Sequence, residues 1–119
     1  MASENVIEVT ETNWAEEVTN SKIPVLVDFW ATWCSPCKAL IPVLDALAIE
    51  LNGRVKIVSV DVENNIQLAT DYNIRSIPAL MVFVGGDKMP DKLVGAVNKE
   101  AIKKILEKYI EKGDRDERG

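Results

Sequence analysis

The chain is predicted to be an α/β protein in which helices cover both sides of a mixed sheet. A nearly continuous apolar run from Ile23 to Ala31 suits a strand buried on both faces, which a half-exposed alternating strand would not give. Further runs follow at Val55–Val60 and Ala79–Val84, with helically spaced apolar residues between them. At 119 residues and 47% hydrophobic content, the chain fits one compact core.

In chain order, Val6–Val9 reads as a short edge strand, and Asn13 followed by Glu16 resembles a capping box opening a helix to about Asn20. After the strand Ile23–Ala31, a helix places Ala39, Leu40, Val43, Leu44, Leu47, Ala48 and Leu51 on one face, and Asn52-Gly53 stops it. Pro42 lies inside that helix and should kink it, because it lacks an N–H and its ring crowds the preceding turn. Ile66–Tyr72 reads as a short helix, Gly85-Gly86-Asp87 as a turn, and Lys92–Val97 as the returning strand of a hairpin. Asn98 caps a final helix with Ala101, Ile102, Ile105, Leu106, Tyr109 and Ile110 on its apolar face. The domain is expected to span residues 1–111, with 112–119 a charged, disordered tail.

Both cysteines fall in one tetrapeptide, Cys34-Ser35-Pro36-Cys37, at the start of the second helix. Residues three apart on a helix lie on one face, close enough for a disulfide to close with slight adjustment. The pair can therefore switch between dithiol and disulfide without moving the fold. The same spacing also forms half of a zinc site, but the chain has no His and no third Cys, so a metal or an iron-sulfur cluster would need ligands from elsewhere.

The net charge of -5 supplies no basic patch for nucleic acid or an anionic membrane. The first residues lack a basic stretch followed by an apolar one, so no secretion signal is read there. No apolar run approaches membrane-helix length. With no cysteine to spare for structural bridges, a reducing cytoplasmic setting is expected.

The stretch Val27-Asp28-Phe29-Trp30-Ala31-Thr32-Trp33-Cys34-Ser35-Pro36-Cys37-Lys38, with Pro42, Arg75-Ser76-Ile77-Pro78 and Val94-Gly95-Ala96, closely resembles the thioredoxin family in one register from about Val6 to Ile110. The chain departs from the usual pattern at Ser35, where Gly is common, and at Ser59, where Lys is frequent. The hairpin from Phe83 to Gly95 also reads about one residue longer than in common members.

The resemblance implies a thioredoxin fold, with a five-stranded mixed sheet flanked by four helices. It also implies a protein dithiol-disulfide oxidoreductase that works as a monomer without a bound cofactor or metal. Disulfide-containing proteins would be its substrates, and a thioredoxin reductase would recharge it. Residue chemistry makes Cys34 the nucleophile, because a helix N-terminus favours the thiolate, and makes Cys37 the resolving thiol. A carboxylate on the strand face of Leu26 and Trp30 must be protonated or paired if buried, and the alternative is an Asp that points to solvent at a sheet end; the resemblance implies that Asp28 is a buried proton acceptor for Cys37. Without an ammonium at Ser59, its pKa should be raised.

By the same resemblance Pro78 is cis and faces the cysteines, and the backbone of Ile77 pairs with substrate. Trp33, Ile77, Pro78, Gly95 and Ala96 are expected to form an apolar patch around an exposed Cys34, with Trp30 more buried. Ser35, Pro36 and Lys38 support the site. Pro36 sits where a missing N–H costs little, and the Ser35 hydroxyl is free either to donate to the Cys34 sulfur or to stay in solvent. Two alternatives stand beside this reading: an oxidant or isomerase, in which the thiolate is more strongly stabilised, and a non-catalytic binding module.

Overall fold

A computed structural model describes residues 4–118, with side chains to residue 110. Five strands form one sheet in the order β1-β3-β2-β4-β5. They are β1 (Ile7–Glu8), β2 (Val25–Trp30), β3 (Lys56–Asp61), β4 (Ala79–Val84) and β5 (Asp87–Val94). Strands β1 and β2 run parallel to β3, while β4 is antiparallel to both β2 and β5. The helices are a short π-wound segment (Ala15–Thr19), α1 (Ser35–Glu50), α2 (Ile66–Asp71) and α3 (Lys99–Arg118). Element order and sheet type agree with the sequence expectation.

All six residues of β2 are buried, because both faces of the strand are covered. On one side Leu26, Ile57, Leu80 and Val82 pack against Leu40, Leu44 and Leu47 of α1 and Ile102 and Leu106 of α3. On the other, Val27, Phe29, Val58, Val60, Met81 and Phe83 pack with Val18 and Leu68. Trp14 and Tyr72 close this second core, each with its ring edge-on to Phe83 at about 5 Å between centroids. A continuous apolar run is what such double cover requires.

Several local expectations change. The Asn13 side chain does not cap the following segment; its Oδ1 accepts from Thr10 N at 2.6 Å, and no side chain caps that helix start. The chain instead enters through Trp14, already helical, and winds in the wider register. Of the strand expected over Val6–Val9, Ile7 and Glu8 pair with β3, flanked by buried Val6 and Val9.

Helix α1 runs through Pro42, which lies on its exposed side where water can serve the carbonyl left unpaired. Strand β5 begins five residues before the expected Lys92 and ends at Val94 rather than Val97. The β4–β5 register shifts between Met81 and Phe83, and the excess residues of β5 there include Pro90. Proline is tolerated at such an irregularity on an edge strand, and its presence hid the strand. Asn98 does cap α3, accepting from Ala101 N at 2.9 Å. The α3 backbone is helical to Arg118, into the segment expected to be a disordered tail, whose side chains lie outside those described.

Candidate active site

Strand β2 ends at Trp30, and the loop Ala31–Trp33 delivers Cys34 to the start of α1. Cys34 is the N-cap, with extended backbone at φ -93° and ψ 106°, and its carbonyl accepts from Lys38 N. Its sulfur takes the place of the usual oxygen cap, accepting the backbone N–H of Cys37 at 3.2 Å. Pro36 sits in the first turn, where no intrahelical donor is lost. Cys34 and Cys37 are joined as a disulfide with Cα atoms 5.3 Å apart. The N–H that caps the sulfur, with the positive end of α1 behind it, favours negative charge on Cys34 once the bond is reduced.

Cys34 is less open than expected, at 5% exposure against 1% for Cys37. It remains the more accessible of the two. Trp30, Cys34 and Cys37 form a small cluster completed by half-buried Ile77. Trp33 next to it is 66% exposed, while Trp30 is buried. The Ile77–Pro78 peptide is cis, and the Pro78 carbonyl accepts Gly95 N at 2.9 Å. This bond joins two of the segments expected around the cysteines. Gly95, at φ +86°, takes a left-handed turn just after β5. Pro78 is buried and Gly95 half-buried, so Trp33 and Ala96 supply the open surface. That corrects the expectation of five residues sharing one exposed patch. Ser35 and Lys38 are exposed, and the Cys34 sulfur accepts from the Cys37 backbone rather than from the Ser35 hydroxyl.

On β2, two residues before Trp30, Asp28 is fully buried, and neither of its carboxyl oxygens has a hydrogen-bond partner. Burial pushes its pKa from 3.8 up to about 7. Ser59, its register partner on β3, is equally buried and its hydroxyl is unpartnered.

A support network was not singled out in the sequence. Thr32 Oγ1 donates to Glu63 Oε1 at 3.3 Å, and Val62 N to the Trp30 carbonyl at 2.9 Å. Asp61 Oδ1 accepts from Glu63 N, and buried Asn65 donates to the Asp61 carbonyl. These bonds brace the loop before Cys34 against the loop before α2. Their only trace in the sequence is a run of Asp, Glu and Asn after a strand, which is ordinary turn chemistry.

The family model described as Thioredoxin matches residues 5–108. The chain belongs to the thioredoxin family. Thioredoxin 1 of Nostoc sp. is 48% identical over 103 residues, covering 87% of this chain and 95% of that protein. A thioredoxin of Synechocystis sp. is 45% identical over 103 residues, with the same coverage of 87% and 95%. The chloroplastic thioredoxin M-type of Spinacia oleracea is 43% identical over 112 residues, covering 92% of this chain and 61% of that protein. Family membership and the Cys34–Cys37 disulfide together make this chain a protein dithiol-disulfide oxidoreductase. Among the described residues no group of three His, Cys, Asp or Glu could hold a metal ion, and no helix is long and apolar enough to cross a membrane.

Proposed function

We propose that Cys34 is the nucleophile of a general protein disulfide reductase, and the observation that carries this is its place as the sulfur N-cap of α1. As a thiolate, Cys34 attacks one sulfur of a substrate disulfide; one substrate thiolate leaves, and a mixed disulfide forms. Cys37 then gives its thiol proton to the Asp28 carboxylate and attacks the Cys34 sulfur. The second substrate thiolate departs and is protonated by water, leaving the substrate reduced and the Cys34–Cys37 disulfide restored.

Substrate lies across Trp33, Ile77, Gly95 and Ala96, with the Ile77 backbone pairing with an extended segment beside Pro78. Trp30 packs against the cysteines from below, and Ser35, Pro36 and Lys38 shape the first turn of α1. The catalytic unit is the domain 1–111, acting as a cytoplasmic monomer without bound cofactor or metal. A thioredoxin reductase returns electrons to it. The cytoplasmic reading rests on a chain with no cysteine beyond the redox pair.

The midpoint potential of the Cys34/Cys37 couple tests the reductant reading. Thioredoxins are themselves the reference system for a value of about -270 mV, and a result near it is expected here. A value above about -200 mV would assign the chain to disulfide transfer or isomerisation instead.

A further inference from the structure

Buried polar groups are nearly always hydrogen-bonded, so a cluster that is not calls for an explanation. Asp28 and Ser59 stand side by side on adjacent parallel strands, both with 0% exposure and neither with a partner. Neighbouring strands lie about 4.8 Å apart, so a hydroxyl at Ser59 is within a rotamer change of the Asp28 carboxyl.

Among the described residues no lysine or arginine acts on the Asp28 carboxyl. On α1, Cys37 packs in the cluster with Trp30, which stands two residues along β2 from Asp28, while Lys38 is exposed. Strand β4 places Leu80 opposite Asp28, followed by Val82. Farther along β3, Asp61 has its oxygens occupied by Glu63 N and Asn64 Nδ2. From α3 come Ile102, Leu106 and Tyr109, and the Tyr109 hydroxyl is held by Asp91. Trp30 Nε1, two residues along β2, is the other unpartnered donor. It is tied to a ring packed against the cysteines, whereas a serine hydroxyl turns freely about one bond.

We infer that Ser59 is a positioning residue for proton transfer, its hydroxyl donating to the Asp28 carboxylate and holding that carboxylate ready for the Cys37 proton. The inference rests on the proposed role of Asp28 and adds the group that acts through it. Ser59 keeps its own proton throughout. The proton that moves goes from Cys37 Sγ to Asp28, and the electron pair left on Cys37 forms the bond to Cys34. A carboxylate in an apolar interior is disfavoured unless a donor meets it, so the hydroxyl enlarges the ionised fraction of Asp28. This also gives a serine a reason to occupy the dry centre of the sheet, where it otherwise leaves a polar atom unsatisfied.

The test uses the intact chain and its Ser59→Ala, Ser59→Thr and Asp28→Asn variants. The Asp28 titration is read from the side-chain carboxyl carbon by NMR, with Asp28→Asn giving the assignment. Resolution is read as release of thionitrobenzoate from its mixed disulfide with Cys34 across pH. Ser59→Ala is expected to raise the Asp28 midpoint by about one pH unit, the worth of one hydrogen bond to a charged group. Resolution should then slow about tenfold below both midpoints and stay unchanged above them. Ser59→Thr, which keeps the hydroxyl, should retain both the midpoint and the profile.

A Ser59→Ala midpoint equal to that of the parent chain overturns the inference, as does a shifted midpoint with an unshifted resolution profile. Failure of the underlying reading looks different. In that case Asp28→Asn itself leaves the resolution profile unchanged, and any role for Ser59 in the transfer falls with it.

Discussion

The backbone N–H of Cys37 points at the Cys34 sulfur from 3.2 Å, so the residue proposed to resolve the mixed disulfide also caps the sulfur proposed to form it. One helical turn fixes both relationships. An oxygen side chain at position 34 would keep the cap of α1 and remove the chemistry. Cys34→Ser should therefore keep a capped α1, since serine is a preferred N-cap, while losing all disulfide reduction. Circular dichroism and a turnover assay on the same sample check the two halves of this statement.

Asp28 makes stability depend on pH in a defined sense. Its carboxyl rises from 3.8 to about 7 on folding, so the folded protein holds a proton that the unfolded chain releases between those values. The contribution is fully favourable below 3.8 and is lost as pH rises through about 7. The change amounts to up to about 4 kcal/mol. Asp28→Asn, neutral at every pH, should match the parent chain in urea unfolding at acid pH and exceed it above neutrality, while resolving mixed disulfides more slowly.

Trp33 is 66% exposed beside a nearly covered Cys34, and an exposed aromatic next to a reactive sulfur is suited to substrate contact. Trp33→Ala should lower kcat/KM for a protein disulfide by about tenfold. The midpoint potential of the couple and the rate with a small aromatic disulfide should hardly change. Parallel assays with the two kinds of substrate separate lost docking from lost chemistry.

Much of the fold was legible because each signal had one dominant cause. The continuous run in β2 follows from cover on both faces, and Asn98 marks the start of α3 because its side chain serves that helix. Asn13 misled for the opposite reason: its side chain found the Thr10 backbone, a local competitor that pattern reading does not weigh. Strand β5 was misjudged because Pro90 and the register shift break the alternation that marks an edge strand. In the site, the cysteine pair and Asp28 stood out by residue type and by violating their surroundings. The burial of Pro78 and the bracing by Thr32 and Glu63 depend on how distant loops meet, which spacing along the chain does not encode.

Two turn glycines should respond differently to an added methyl group. Gly53 and Gly86 both have positive φ, +85° and +88°, but a Cβ at Gly53 meets nothing within 4 Å, while one at Gly86 lies 3.0 Å from the Thr19 carbonyl oxygen. Gly53→Ala should cost about 1 kcal/mol for the backbone conformation alone. Gly86→Ala should cost more, because the β4–β5 turn must move off the end of the π-wound segment. Urea unfolding of the two variants compares them directly.

The central claim is the division of labour between the two cysteines. Cys37→Ser mixed with an oxidised protein substrate should accumulate a one-to-one covalent adduct, and peptide mass spectrometry should place the linkage at Cys34. Cys34→Ser under the same conditions should accumulate none. An adduct that instead builds up through Cys37 in the Cys34→Ser variant, with none in Cys37→Ser, would reverse the assignment and contradict the account.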